Sequence, residues 1–348
     1  MGSEKNMLFP LIHDYLKIYL TSQHKVSPNT VRAYRKALDG LLDYVKEQEH
    51  IPLGNVMFEH LSFGTILSYI DYLGTECRCS PATCNARFAA IRAFLDYASD
   101  RDITIVAVLN ELRKAPFKKM ENTSPVEYMS MEAVSAIVMQ TDDSTQKGMR
   151  DRVFIMLMYD TGARVQEITG IRLCDIQLDG TPKATLHGKG NKIRTVPLME
   201  RTASHLKKYI SVFHPDPVPA QDAPLFYSVI RGQRNNLTDR LVRYMLRKYG
   251  EKARVVCPEV PENIHPHMLR HSRAMHLYQE GMALELISQW LGHSHLKTTQ
   301  IYAFADTEHK RKAIAAATPP DSPLYSKLNS SKYTLTDEEV LKKLTGLK

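Results

Sequence analysis

HPHMLRHSRAMHLYQEGMALELISQWLGHSHLKTTQIY, residues 265–302, is the stretch on which the reading of this chain turns. It opens with His267-Met268-Leu269-Arg270, an H-x-x-R. Positions three apart share a helix face, so the imidazole and the guanidinium point the same way. Pro266 stands where a first helical turn would start. His293 follows in Leu291-Gly292-His293, and Tyr302 nine residues later in Thr298-Thr299-Gln300-Ile301-Tyr302. Arg270 offers a planar fork that fits a phosphate bidentately. His267 and His293 donate hydrogen bonds or move protons near neutral pH. A tyrosine hydroxyl is a poor nucleophile at its ordinary pKa of roughly 10, and cations around a phosphate would lower that value. A tyrosine aimed at an arginine-clamped phosphate predicts covalent phosphoryl transfer through a phosphotyrosine.

In residue type, spacing and order, this stretch resembles the C-terminal signature of the tyrosine recombinases, the integrase and Xer family. Two other segments extend the resemblance. Thr161-Gly162-Ala163-Arg164-Val165-Gln166-Glu167 resembles the family's first arginine motif, T-G-x-R-x-x-E. Residues 183–198, KATLHGKGNKIRTVPL, read as two β-like runs flanking Gly188-Lys189-Gly190-Asn191, a hairpin signal. That G-K-G lacks the G-x-x-x-x-G-K-[ST] spacing of a phosphate-binding loop.

The resemblance implies a set of roles. Tyr302 attacks a scissile phosphate, leaving a 3′-phosphotyrosine and a free 5′ hydroxyl. Arg164 and Arg270 stabilise the phosphoryl oxygens. Glu167 orients Arg164 or its neighbours. Lys189, in preference to Lys192, protonates the leaving oxygen. His267 serves as general acid/base on the tyrosine, and His293 binds a phosphoryl oxygen. No cofactor or metal is implied. The implied partners are double-stranded DNA carrying paired half-sites and further copies of the chain, as a synaptic tetramer. His265 stands where the family usually has Ser or Thr, a departure expected to alter helix capping only.

Composition sets outer bounds. A chain of 348 residues suits about two domains. Hydrophobic residues make up 43%, enough for ordinary packed cores. A formal net charge of +8 favours a polyanionic partner. Five cysteines without paired spacing indicate reduced thiols in a cytosolic protein. Cys77, Cys79 and Cys84 lack a fourth ligand in a zinc-like spacing. His267 and His271 are four apart, but Met268 stands where the metalloprotease motif has its glutamate. No apolar run approaches the roughly 20 residues that span a bilayer. MGSEKNMLFP holds no signal-peptide core. The chain reads as soluble and cytoplasmic, with no membrane partner.

The predicted fold is mainly α. A helical N-terminal domain covers 7–115, and the resemblance makes it a core-binding domain on DNA. A basic, Pro-punctuated linker covers 116–125, and a mainly-α catalytic domain with a small antiparallel sheet near 183–198 covers 126–318. Residues 319–348 form a tail. Ser27-Pro28-Asn29-Thr30 and Ser80-Pro81-Ala82-Thr83 both read as helix starts, with Ser capping and Pro first. A further helix is predicted over Thr65–Leu73, and two more over 201–213 and 237–249. Asn29, Thr30, Arg32, Arg35, Arg87 and Arg92 are candidate DNA contacts. So are Arg234, Arg240 and Arg243, within a basic cluster with Arg231, Arg247 and Lys248. The competing reading for all of these is a solvated charged face. In the tail, Thr336-Asp337-Glu338-Glu339 is a capping box leading into Val340, Leu341 and Leu344. That short helix is expected to dock on a neighbouring protomer, with docking on its own domain as the alternative. A type IB topoisomerase, a catalytically inactive DNA-binding regulator and a metal-dependent nuclease are the rival functions.

Overall fold

A serine three residues before a backbone amide starts four of the helices. The Oγ atoms of Ser27, Ser62, Ser80 and Ser130 accept from the amides of Thr30, Thr65, Thr83 and Ala133, at 3.1 to 3.3 Å. Each such cap satisfies an otherwise orphaned donor and contributes about 1 kcal/mol. The structure is a computed structural model that describes residues 6–119, 126–188, 190, 192–215, 222–293, 295–305, 311 and 342. Lys189, the linker from 120 onward and, apart from Lys342, the tail 319–348 with its capping box lie outside the described residues.

The chain separates into two units, Met1–Ser124 and Pro125–Lys348. In the first, α1 (Leu8–Asp14) continues into a π-helical stretch, Tyr15–Gln23. The buried side chains Leu11, Tyr15, Leu16 and Leu20 recur at intervals nearer 4.5 than 3.6, and the wider winding keeps them on one face. Then come α2 (Pro28–Gln48), α3 (Phe63–Thr75), α4 (Pro81–Ser99) and α5 (Ile105–Lys114). Leu38, Leu41, Ile66, Tyr69, Phe88, Ile91 and Phe94 fill the core between them. The start of the expected linker packs against this core. Phe117 meets Phe88 edge-on at 5.6 Å, and Asn85 exchanges two hydrogen bonds with the backbone of Lys118.

The second unit begins with α6 (Met131–Met139), α7 (Gln146–Thr161) and the short α8 (Val165–Thr169). A three-stranded antiparallel sheet follows: β1 (Ile176–Gln177), β2 (Lys183–His187) and β3 (Ile193–Pro197), in that order. Ala184, Leu186 and Val196 alternate inward. After α9 (Glu200–Phe213) comes a hairpin the sequence reading missed, β4 (Tyr227–Ile230) with β5 (Gln233–Asn236). Its turn, Arg231-Gly232, has positive φ at both residues, as a two-residue hairpin requires. All four residues of β5 are exposed and polar, so no alternation marked it.

α10 (Asp239–Val256), α11 (Pro266–Gln279), α12 (Leu284–Leu291) and α13 (Lys297–Ala305) follow. The main core holds Phe154, Leu157, Tyr209, Phe226, Leu246 and Leu269. A satellite core of Ala274, Met275, Leu277, Ile287 and Leu291 encloses the ring of Tyr302. Among the described residues, no helix is long and apolar enough to cross a membrane.

Candidate active site

Glu167 sits at the third position of α8, where its carboxylate turns back on the helix start. Oε2 accepts the backbone amide of Arg164 at 2.8 Å, the reciprocal bond of a capping box. Oε1 accepts from Arg164 Nη1 at 3.0 Å. Arg194, on β3, closes the other side with Nη1 to Oε1 at 3.0 Å and Nη2 to Oε2 at 2.7 Å. Burial alone would raise the Glu167 carboxyl; the bonds from Arg194 and Arg164 overcome that and hold it below its ordinary value. The Arg194 side chain is 13% exposed and that of Arg164 38%, so Arg164 keeps a face toward solvent.

Arg270 is buried on α11. Nη1 donates to the Gly162 carbonyl at 2.6 Å and Nη2 to the Leu291 carbonyl at 2.7 Å. One guanidinium therefore ties the end of α7 to the end of α12. Burial first, then Arg164 and Arg194, push its pKa down to about 9. An arginine there is still a cation at neutral pH. Gly162 and Gly292 terminate α7 and α12 in the left-handed region, with φ of +57° and +65°. A Cβ at Gly292 would lie 3.0 Å from the Arg194 side chain, so a larger residue would press on the guanidinium that holds Glu167. Arg194 Nε completes the link by donating to the Trp290 carbonyl at 2.9 Å.

Three histidines, His267, His271 and His293, lie within the field of the Arg270 guanidinium. His267 reaches solvent at one edge, yet partial desolvation by its surroundings, then Arg270, holds its pKa below the ordinary value. His293 is half-buried, its Nδ1 2.9 Å from the hydroxyl of the fully buried Thr299. Burial, then Arg270 and Arg164, push it down to about 4. His265 caps α11, its Nδ1 accepting the Met268 amide at 3.2 Å. Tyr302 is fully buried on α13, and burial pushes its phenol up to about 12 against the pull of Arg270. Its hydroxyl lies 3.0 Å from Nδ1 of His271. In this conformation the surrounding cations do not lower the tyrosine, because burial outweighs them.

The structure thus brings together Arg164, Glu167, His267, Arg270 and His293, and leaves Tyr302 buried behind them with its hydroxyl on His271. Lys189 lies outside the described residues, and Gly188 and Lys192 on either side of it are described. Gly188 donates its amide to the Lys192 carbonyl at 2.7 Å, and a Cβ on Gly188 would lie 3.2 Å from Glu167 Oε1. The hairpin base therefore abuts the carboxylate that holds Arg164. Sequence reasoning passed over Arg194 and gave His271 no role once the metalloprotease motif was set aside. Arg194 follows the K-G hairpin by five residues and offered no motif of its own. His271 is four residues from His267 on one helix, a spacing that signals a shared face but not a tyrosine partner.

The candidate DNA contacts differ in setting. Asn29, Arg32 and Arg35 are exposed on α2, with Thr30 half-buried. Arg87 and Arg92 are half-buried: Arg87 donates to the Tyr69 hydroxyl at 3.0 Å, and Arg92 lies 5.5 Å from both the Phe88 and Phe117 rings. In the second unit Arg234 lies over the Tyr227 ring at 4.6 Å. Arg240, Arg243, Arg247 and His265 line a recess of about 440 Å³ beside the start of α11.

Comparison with known proteins gives consistent matches. The profile of the phage integrase family covers residues 127–309, and that of the phage integrase N-terminal SAM-like domain covers 12–102. The integrase/recombinase y4rC of Sinorhizobium fredii is 30% identical over 93% of this chain and 98% of its own length. The tyrosine recombinase XerC of Staphylococcus carnosus is 29% identical over 84% of this chain and 92% of its own. The fold resembles that of the XerH site-specific recombinase in a pre-cleavage complex with its difH substrate. The TM-score is 0.64 at 21% identity, covering 91% of this chain and 99% of that one.

Proposed function

The chain belongs to the phage integrase family of tyrosine recombinases, and from that premise we propose that it cuts and rejoins duplex DNA at specific sites through Tyr302. The Tyr302 oxygen attacks a scissile phosphate, a 3′-phosphotyrosine forms, and the 5′ oxygen leaves as a hydroxyl. The bond energy of the broken linkage is kept in the phosphotyrosine, so a 5′ hydroxyl can attack it in turn. Nothing in this cycle consumes a nucleotide cofactor.

The observation that carries the proposal is the Arg270 guanidinium, fixed by the carbonyls of Gly162 and Leu291 beside Arg164 and His267. Two guanidiniums held in place before substrate arrives stabilise charge developing on phosphoryl oxygens without reorganising. Arg164 is aimed by Glu167, and His293 by Thr299. Lys189, which follows Gly188 in the sequence, is the proposed acid for the leaving 5′ oxygen. His267 is the proposed acid/base on the tyrosine, and His293 the proposed donor to a phosphoryl oxygen. Residues 7–115 are proposed to grip the duplex, with copies of the chain assembling on paired half-sites as a tetramer, in the cytoplasm. The work of such a chain is integration or excision of a mobile element or resolution of joined chromosomes.

The test is a nicked suicide substrate that traps covalent protein. The unchanged chain should give a DNA adduct that Tyr302→Phe abolishes while DNA binding persists. An adduct formed by Tyr302→Phe would remove Tyr302 from the chemistry.

A further inference from the structure

Tyr302 is fully buried, its ring packed among Ala274, Met275, Leu277, Ile287 and Leu291. Its hydroxyl has a partner in that seat, Nδ1 of His271 at 3.0 Å, with ring centroids 5.8 Å apart. His271 follows Arg270 directly, so the residue that holds the tyrosine adjoins the residue that would hold the phosphate. A hydroxyl without solvent access cannot touch a phosphate on a duplex. We infer that His271 is the positioning residue of the nucleophile, seating the Tyr302 hydroxyl out of reach until α13 carries it into the site. This inference rests on Tyr302 being the nucleophile.

The proton inventory supports a seat over a poised base. Burial, then His267 and Arg270, push His271 down to about 4, and Tyr302 is up at about 12. At neutral pH the pair is an imidazole and a phenol, and the phenol O–H donates to Nδ1, which leaves the imidazole proton on Nε2. An imidazole so depressed takes a proton poorly from a phenol so raised. The bond therefore satisfies a buried hydroxyl, which would otherwise be a destabilising orphan. Withdrawal of Tyr302 exchanges this bond for one to a phosphate oxygen or to His267.

The experiment places 3-fluorotyrosine at position 302 of the full-length chain and reads its ¹⁹F resonance, alongside single-turnover adduct formation on the suicide substrate. His271→Ala removes the acceptor; His271→Asn puts an amide oxygen near the position of Nδ1. The seat predicts that His271→Ala moves the ¹⁹F resonance toward that of solvent-exposed fluorotyrosine, and that His271→Asn restores it. It also predicts that adduct formation in both variants falls by less than about 100-fold, the lower bound for losing a general acid/base. A resonance unmoved by His271→Ala overturns the inference, and so does a loss of about 100-fold or more in both variants, which would make His271 a participant in proton transfer. Should His271→Ala fail to fold, the His271→Asn rate still decides between seat and base. Should Tyr302→Phe form an adduct, the nucleophile assignment fails, while the ¹⁹F readout still judges the seat.

Discussion

The arginines of the candidate active site and those of the N-terminal unit share a charge and differ in how they are held. Arg270 is buried between two carbonyls, and Arg194 is forked across Glu167. Arg32 and Arg35 stand exposed on α2, where, among the described residues, Arg32 reaches the Asn29 side chain at 3.3 Å. The difference separates two uses of a guanidinium toward phosphate. A fixed group acts on charge that develops during reaction, because its orientation cost is already met by the fold. A free group follows a backbone wherever it lies and contributes affinity that salt erodes. The burial that fixes Arg270 also lowers its pKa, so the fold spends stability to hold it.

The largest effect should come from breaking the fixed set. Arg270→Lys retains a charge but cannot bridge Gly162 and Leu291 in a plane. Single-turnover cleavage should fall by about 10²- to 10³-fold, as when an oxyanion donor is removed, with little change in gel-shift affinity. Equal losses in cleavage and binding would dissolve the distinction between held and free arginines. Arg194→Lys should do less, about tenfold in cleavage, because it acts on the phosphate only through Glu167 and Arg164. In a cycle with Glu167→Gln the two losses should be far from additive, since both break one carboxylate cluster. Additive losses would mean that Arg194 touches the substrate by itself.

These predictions show what the sequence could and could not carry. Arg164, His267, Arg270, His293 and Tyr302 could be singled out from the sequence because each lies at a fixed spacing within a local motif. Glu167 was legible for the same reason, three residues along one helix from its partner. The S-P-x-T starts of α2 and α4 and the β2–β3 hairpin were legible from capping and alternation. Arg194 was not, because its meaning is its contact with Glu167, twenty-seven residues away. His271 was not, because its partner lies thirty-one residues on, across the satellite core. The π-helical turn was hidden too, since the same leucines and tyrosines fit a rough helical face before packing chooses the winding. The burial of Tyr302 inverts the expectation from cations alone: desolvation is the larger influence on its pKa.

A smaller effect concerns acid stability. Burial holds His271 and His293 near about 4 in the fold, while the unfolded imidazole takes a proton near its ordinary value of about 6.5. Between those values the unfolded chain binds more protons, so stability falls as the pH drops from about 6.5 toward 4. Glu167, whose pKa is lowered, adds stability that is complete above its ordinary carboxylate value and is lost only as the pH falls through its folded value. Urea midpoints should therefore decline from pH 7 to pH 5, and His293→Asn should flatten that decline. A midpoint that rises toward pH 5 would mean the histidines are stabilised as cations.

The smallest effect belongs to the free set, and it sharpens the comparison most. If Arg32 and Arg35 track the DNA backbone, each replaced by Ala should weaken binding by a few-fold at moderate salt. The telling quantity is the slope of log affinity against log salt. Each phosphate contact releases condensed counterions, so losing one should reduce the slope by about 0.9. Cleavage at saturating protein should stay unchanged, because neither residue orients the scissile phosphate. Arg92 makes a contrasting control within the same unit. Its guanidinium is spread over the Phe88 and Phe117 rings, so Arg92→Ala should lower the thermal midpoint through lost cation–π and packing contacts and leave the salt slope nearly unaltered. A reduced slope for Arg92→Ala, with Arg32→Ala and Arg35→Ala silent, would place the backbone-tracking surface on α4 instead of α2.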